Sequence, residues 1–149
     1  MKNLTQIFHT ISYFQYPLIL GSLWFYIPFI VSLLNGNADW AKLNYTLIFF
    51  GITVSFATLQ DTKKTSLKFE KKIWKNPKRG KIFIIGIAFL VFSLLIFGIF
   101  GYFLASNKII QEVSFGIIVL GIGFIGFLKT GIEIFENHRD DKNKTMANK

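Results

Sequence analysis

Residue types able to ligate a divalent metal gather at Glu133, Glu136, His138, Asp140 and Asp141, and the expected topology puts His9 on the same side. Imidazole and carboxylate together suit such metals. The spacing matches no ligand motif, however, and the segment is leaving a helix. A solvated, charged helix end is the expectation, and no metal is assigned. Lys129 and Glu133 stand four apart. Lys before Glu is the weaker order for a helical ion pair, so the pair adds little; the lysine stem suits a reach toward lipid headgroups. No general acid, base and nucleophile set lies at a membrane face, so the sequence predicts no enzyme and no cofactor. The chain has no cysteine, which removes disulfides and thiolate ligands.

The strongest chemical signal is cationic. Of 17 Lys and Arg, nine fall in one connection, at Lys63, Lys64, Lys68, Lys71, Lys72, Lys75, Lys78, Arg79 and Lys81. Leu67, Phe69, Ile73 and Trp74 are interleaved with them. A basic segment beside a membrane span attracts anionic headgroups at about 1 kcal/mol per nearby cation. The apolar residues form no single helical face, so adsorption rather than insertion is expected. These nine cations and Trp74 are the predicted lipid or partner contact. No nucleic-acid motif accompanies the charge, and the membrane is the nearer anionic surface, so no nucleic acid is assigned. Asn76-Pro77 followed by Gly80 reads as a turn that ends the segment. Lys81 follows Gly80 without the Gly-rich run of a phosphate-binding loop.

The elements that position this segment are apolar. The chain is 52% hydrophobic and 17% charged, against about 25% charged for a soluble domain. No Asp, Glu, Lys or Arg lies from Leu43 to Gln60, from Ile82 to Asn107 or from Val113 to Leu128. A soluble helix needs a polar face, and these stretches have none. A bilayer core about 30 Å thick needs roughly 20 apolar residues of helix. Four spans are predicted, at about 11–34, 41–60, 82–105 and 113–132. They are joined by Asn35-Gly36-Asn37, the basic connection 61–81 and Ser106-Asn107-Lys108, and followed by a tail, 133–149.

Lys and Arg concentrate in cytoplasmic connections. With the amino terminus inside, 15 of the 17 cations fall on the inner side and only Lys42 and Lys108 outside. Both termini are therefore expected in the cytoplasm. Lys outnumbers Arg 15 to 2, and Ile, Phe and Asn are abundant. That bias resembles AT-rich bacterial coding and points to a bacterial inner membrane. Gly36-Asn37-Ala38 has the small-x-small form of a signal-peptidase site, but the apolar stretch before it is about twice the usual 7–15 residues of a signal. A retained span is expected.

Inside the spans, Pro17 and Pro28 can kink the first helix. Leu4, Ile7, Phe8 and Ile11 recur at helical spacing, which suits a short interfacial segment that turns in at Pro17; one long tilted helix is the alternative. Thr46, Thr53, Ser55 and Thr58 can bond backbone carbonyls or line a pore, and packing is the preferred use. Gly116 and Gly123 share a face of the last span, with Gly126 adjoining, and a face without side chains makes a groove for another helix. Span three, bulky and joined by a short loop, is the expected occupant. Offset by 70 residues, Leu34, Asn37, Ile48, Gly51 and Ile52 match Leu104, Asn107, Ile118, Gly121 and Ile122, a weak internal repeat.

The predicted fold is an all-α membrane protein, a four-transmembrane-helix bundle in a single domain, with two tandem hairpins as one arrangement. The predicted function is that of an accessory or assembly component of the inner membrane. Its basic connection would contact anionic lipid on the cytoplasmic side, a protein partner or a second copy. The alternative is an oligomeric small channel or passive transporter.

Overall fold

The computed structural model describes residues 2–59 and 73–139, with side chains from residue 6 onward. The helices are α1 (Lys2–Ser12), α2 (Gln15–Leu34), α3 (Trp40–Ala57), α4 (Pro77–Leu104) and α5 (Lys108–His138), and residues 73–75 are helical as well. There is no strand among the described residues. Three helical stretches, Gln6–Leu34, Pro77–Leu104 and Lys108–His138, are long and apolar enough to cross a membrane. The chain is therefore read as a multi-pass membrane protein. At 1.5 Å per residue, α4 and α5 run to about 42 and 46 Å, so their ends reach beyond a 30 Å core into the headgroup layers. α3 is not one of the three. Lys42, Asn44, Tyr45, Thr46, Thr53 and Ser55 dilute its apolarity, and at 18 residues it is the shortest of the long helices.

α1 and α2 are separated at Tyr13-Phe14, not at Pro17. Pro17 lacks an N–H, and its ring crowds the carbonyl four residues earlier, on Tyr13. Tyr13 O instead accepts from Tyr16 N at 3.1 Å, while Tyr13 N and Phe14 N bond Thr10 O and Ile11 O three residues back. The joint is thus a tight turn between the two helices. α2 ends in a Schellman motif: Gly36, with φ +77°, supplies the left-handed residue, Gly36 N donates to Leu33 O and Asn37 N to Ser32 O. Ser32 Oγ then accepts from Asp39 N at 3.1 Å. Asp39 caps α3 by accepting from Lys42 N and pairs with Lys42 Nζ at 3.0 Å. That lysine hydrogen bond, ahead of the partly opposing desolvation, holds the Asp39 carboxyl below its usual range.

α4 and α5 begin on the same device. Asn76 accepts from Lys78 N and Arg79 N, with Pro77 at the first helical position. Asn107 accepts from Ile109 N at 2.8 Å, and Gln111 reaches back to cover Ala105 O. Asn76-Pro77 therefore starts α4 rather than closing a loop, and Lys78, Arg79 and Lys81 sit in its first turns. α5 likewise extends past the apolar stretch 113–132 at both ends, taking in Lys108, Glu112, Glu133 and Glu136.

The helices pack in the spatial order α2, α3, α5, α4. α2 and α3 run antiparallel, as Phe14 meets Phe56, Phe25 meets Phe49 and Tyr45, and Phe29 meets Trp40. Ser22 Oγ crosses to Thr46 O at 3.2 Å. α4 and α5 are also antiparallel, with Gly98 against Ile118, Gly101 against Ser114 and Gly121 against Leu95. α3 and α5 run parallel. Their contacts repeat every seven residues, Asn44 on Gly116, Gly51 on Gly123 and Thr58 beside Thr130, whose Oγ1 donates to Thr58 O at 3.3 Å. This is the period of a left-handed crossing. A side chain at Gly123 would strike the carbonyl of Gly51, so glycine brings the two backbones together.

The glycine face of α5 is accordingly filled by α3, and the expectation that span three fills it is corrected. Gly116 meets Asn44 and Leu47, Gly123 meets Gly51, and Gly126 meets Thr58. Gly121, on another side of the helix, is the glycine that faces α4. The paired residues 44/116, 51/123 and 58/130 are offset by 72, not the 70 of the sequence repeat. The matched glycines also differ in role, since Gly51 faces α5 and Gly121 faces α4.

Candidate functional site

Because α3 and α5 are parallel, the chain's polar ends sort into two groups. One end carries connections 35–39 and 105–107 with Asp39, Lys42, Lys108 and Glu112. The other carries α1, the start of α4 and the end of α5, with Lys75, Lys78, Arg79, Lys81, Lys129, Glu133, Glu136 and Arg139. Lys63, Lys64, Lys68, Lys71 and Lys72 lie outside the described residues.

Trp74 leads into this second end and is turned inward. Its ring is 6% exposed, meets Phe83 edge-on at 5.3 Å and lies over Gly131, where a Cβ would stand 3.5 Å from Cη2. The ring is covered by α4 and α5 rather than presented to a membrane surface. Six residues later, in the first turn of α4, Gly80 receives Phe135, whose ring would collide with any side chain at that position. Arg139 lies over Phe135 at 5.7 Å and bonds Glu136 at 2.9 Å. Two aromatic rings seated on glycines thus fasten the chain just before α4 to the end of α5. The cations that follow have no such engagement: Lys75, Lys78, Arg79 and Lys81 form no ion pair among the described residues and point outward. Phe135 was not singled out from the sequence, and Gly80 was read only as part of a turn. The available signal was one aromatic residue among Glu133, Glu136 and His138, and one glycine within a basic run.

Among the described residues the metal-ligating types are occupied elsewhere; Asp140 and Asp141 lie outside the described residues. Glu133 pairs with Lys129 at 3.4 Å and Glu136 with Arg139. His138 Nδ1 lies 2.9 Å from Ile134 O, which only accepts, so that nitrogen carries the proton. His9 lies 3.5 Å from the Tyr13 hydroxyl. Among the described residues no three of His, Cys, Asp or Glu come together.

The hydroxyls of α3 and of its cap Thr58 give their protons to backbone. Thr46 donates to Lys42 O, Thr53 to Phe49 O, Ser55 to Gly51 O and Thr58 to Ser55 O, at 2.7–3.0 Å. Asn44 Oδ1 is buried beside Gly116 without a hydrogen-bond partner among the described residues. An open, mostly apolar groove of about 350 Å³ lies at the other end of the molecule, between Trp40 and the first turns of α5. Compared with protein families, curated proteins and solved structures, the chain matches none.

Proposed function

We propose that the protein is a small polytopic component of the inner membrane, with no catalytic centre of its own, that works through its basic connection as an accessory or assembly factor. In this proposal α3 crosses the bilayer beside the three more apolar helices. The chain then forms a four-helix bundle of two tandem hairpins, α2 with α3 and α4 with α5. α1 serves as the interfacial segment, and both termini face the cytoplasm under the positive-inside rule. The partner of the basic connection is anionic lipid on that side.

The observation that carries this reading is the contrast at the second end of the molecule. Trp74 and Phe135 are locked into α4 and α5, while Lys75, Lys78, Arg79 and Lys81 stand outward without acidic partners among the described residues. A fastened segment with unpaired cations at the headgroup level suits a surface of anions. The oligomeric channel draws less support, because the α3 hydroxyls bond carbonyls and α3 itself fills the α5 glycine face.

Lys68→Cys, the single cysteine of such a variant, can be labelled with an environment-sensitive fluorophore and the full chain reconstituted in vesicles. Emission should shift to the blue when phosphatidylglycerol replaces part of the phosphatidylcholine. The shift should shrink as ionic strength rises from about 0.1 to about 1 M, where the screening length falls to roughly 3 Å. The same emission in both vesicle types refutes the lipid role and leaves a cytoplasmic protein as the partner to seek by cross-linking.

A further inference from the structure

Resting on that lipid reading, we infer a defined site on the outward face of α4 for one anionic phospholipid. Lys78 and Lys81 hold its phosphate, and an acyl chain lies in a notch at Gly86.

α4 turns Gly80, Ile87, Val91 and Gly98 inward. Its opposite face is open, with Ile82 70%, Ile85 66% and Phe89 74% exposed. Residues three and four apart on a helix lie one above the other. Ile82, Ile85 and Phe89 therefore form one stripe, with Lys78 one turn before Ile82 and Lys81 one turn before Ile85. The two cations stand at the head of the stripe. Gly86 interrupts it: a Cβ there would meet nothing within 4 Å, so the missing side chain leaves a gap that faces away from the protein. By helical rise Gly86 lies about 12 Å below Lys78 and about 8 Å below Lys81. That depth falls within the roughly 15 Å half-thickness of the hydrocarbon core, so a chain whose phosphate meets the lysines passes over the notch.

The electrostatics of the helix end also call for an anion. The first turn of α4 contains no acidic residue, and Lys78 and Arg79 add charge to an end already positive through its peptide dipoles. The N–H groups of Lys78 and Arg79 are taken by Asn76, so the side chains remain to make the contact. The other apolar faces lack this combination. α2 has no cation in its sequence; on α5, Lys129 already pairs with Glu133, and every glycine has a neighbour within 4 Å, which leaves no open notch. A free phosphate would use the lysines and ignore the notch, whereas a phospholipid uses both.

The full chain, purified in mild detergent with equal phosphatidylglycerol and phosphatidylcholine, is examined by native mass spectrometry for lipid retained on activation. The parent should keep one phosphatidylglycerol in preference to phosphatidylcholine. Lys78→Gln with Lys81→Gln should weaken that retention about thirty-fold, a factor of roughly five for each cation. Gly86→Leu keeps every charge and fills the notch, and it should also release the lipid. Lys108→Gln, at the opposite end of the molecule, should leave the retained lipid in place. Retention unchanged in the Lys78/Lys81 variant, or in Gly86→Leu, overturns the site. If the lysine variant fails to fold, Gly86→Leu decides alone, since its side chain enters open space. Loss of the site while the label at residue 68 still senses phosphatidylglycerol leaves the broader function standing. No lipid preference in either experiment removes both.

Discussion

Adding one methyl group at Gly51 tests the central packing of the molecule directly. The new Cβ would stand 2.8 Å from Leu120 Cα and N and from Val119 O, all backbone atoms that cannot turn aside. Ordinary contact begins at 3.4 Å, so α3 and α5 must part by about 0.6 Å. Overpacking of this kind costs about 1–3 kcal/mol. The same movement stretches the Thr130–Thr58 bond, already 3.3 Å, beyond hydrogen-bonding range. Loss of such a bond within a membrane protein costs about 0.6 kcal/mol. Alanine returns up to about 1 kcal/mol as the better helix former. The balance predicts that Gly51→Ala destabilises the fold by about 1–2 kcal/mol. Gly86→Ala is the matched control. It makes the same chemical change where nothing lies within 4 Å, so only the helix-forming gain remains and stability should hold or rise. Reversible unfolding in mixed detergent–SDS micelles measures both. If the two substitutions shift stability in the same direction by the same amount, close backbone approach does not organise the α3–α5 contact.

The absence of native cysteine allows topology to be read by single substitutions: Asn37→Cys should react with an impermeant thiol reagent added outside intact cells and Glu70→Cys should not, and the reverse labelling refutes the orientation. In a chain carrying Trp24→Phe and Trp40→Phe, emission from Trp74 should be the same in anionic and zwitterionic vesicles because Phe83 and Gly131 cover the ring; a lipid-dependent shift would mean that the ring leaves its seat. Asp39, lowered by Lys42, contributes stability that is present above the unfolded carboxylate pKa and is lost as pH falls through its lower folded value. Asp39→Asn should therefore flatten the acid limb of the stability profile below about pH 4, and a limb identical to the parent's would remove Asp39 as its source.

The apolar helices were legible because lipid offers no partner for charge, so the charge-free stretches mark them. The Asn35-Gly36-Asn37 connection was legible for a local reason: Gly36 takes a left-handed conformation that ends α2. The α4 boundary was harder to read because Asn and Pro serve turns and helix starts alike; only the bonds from Asn76 to Lys78 N and Arg79 N decide it. The glycine face of α5 could be placed on the helix, but its partner could not. Spacing specifies an angle around one helix axis, not which neighbour lies at that angle. A short loop favoured α4, yet Gly116 and Gly123 look toward α3 while Gly121 looks toward α4. Trp74 shows the same limit in the candidate site. An aromatic residue in a basic segment has one sequence signature whether it rests on lipid or folds back onto Gly131.

The pairing of α3 with α5 bears on how the chain is built during synthesis. α3 is the least lipid-compatible of the long helices, and the surface that fits it leaves the ribosome some 70 residues later. At 5–20 residues per second that interval lasts on the order of ten seconds. Over that period α2, with a slight contact from α1, is its companion already made, and the Ser22–Thr46 bond is available at once. Gly51 and Asn44 meanwhile remain uncovered until α5 arrives. A nascent chain arrested before residue 116 should thus expose a seam that a membrane chaperone or quality-control protease can recognise, and completion of α5 hides it.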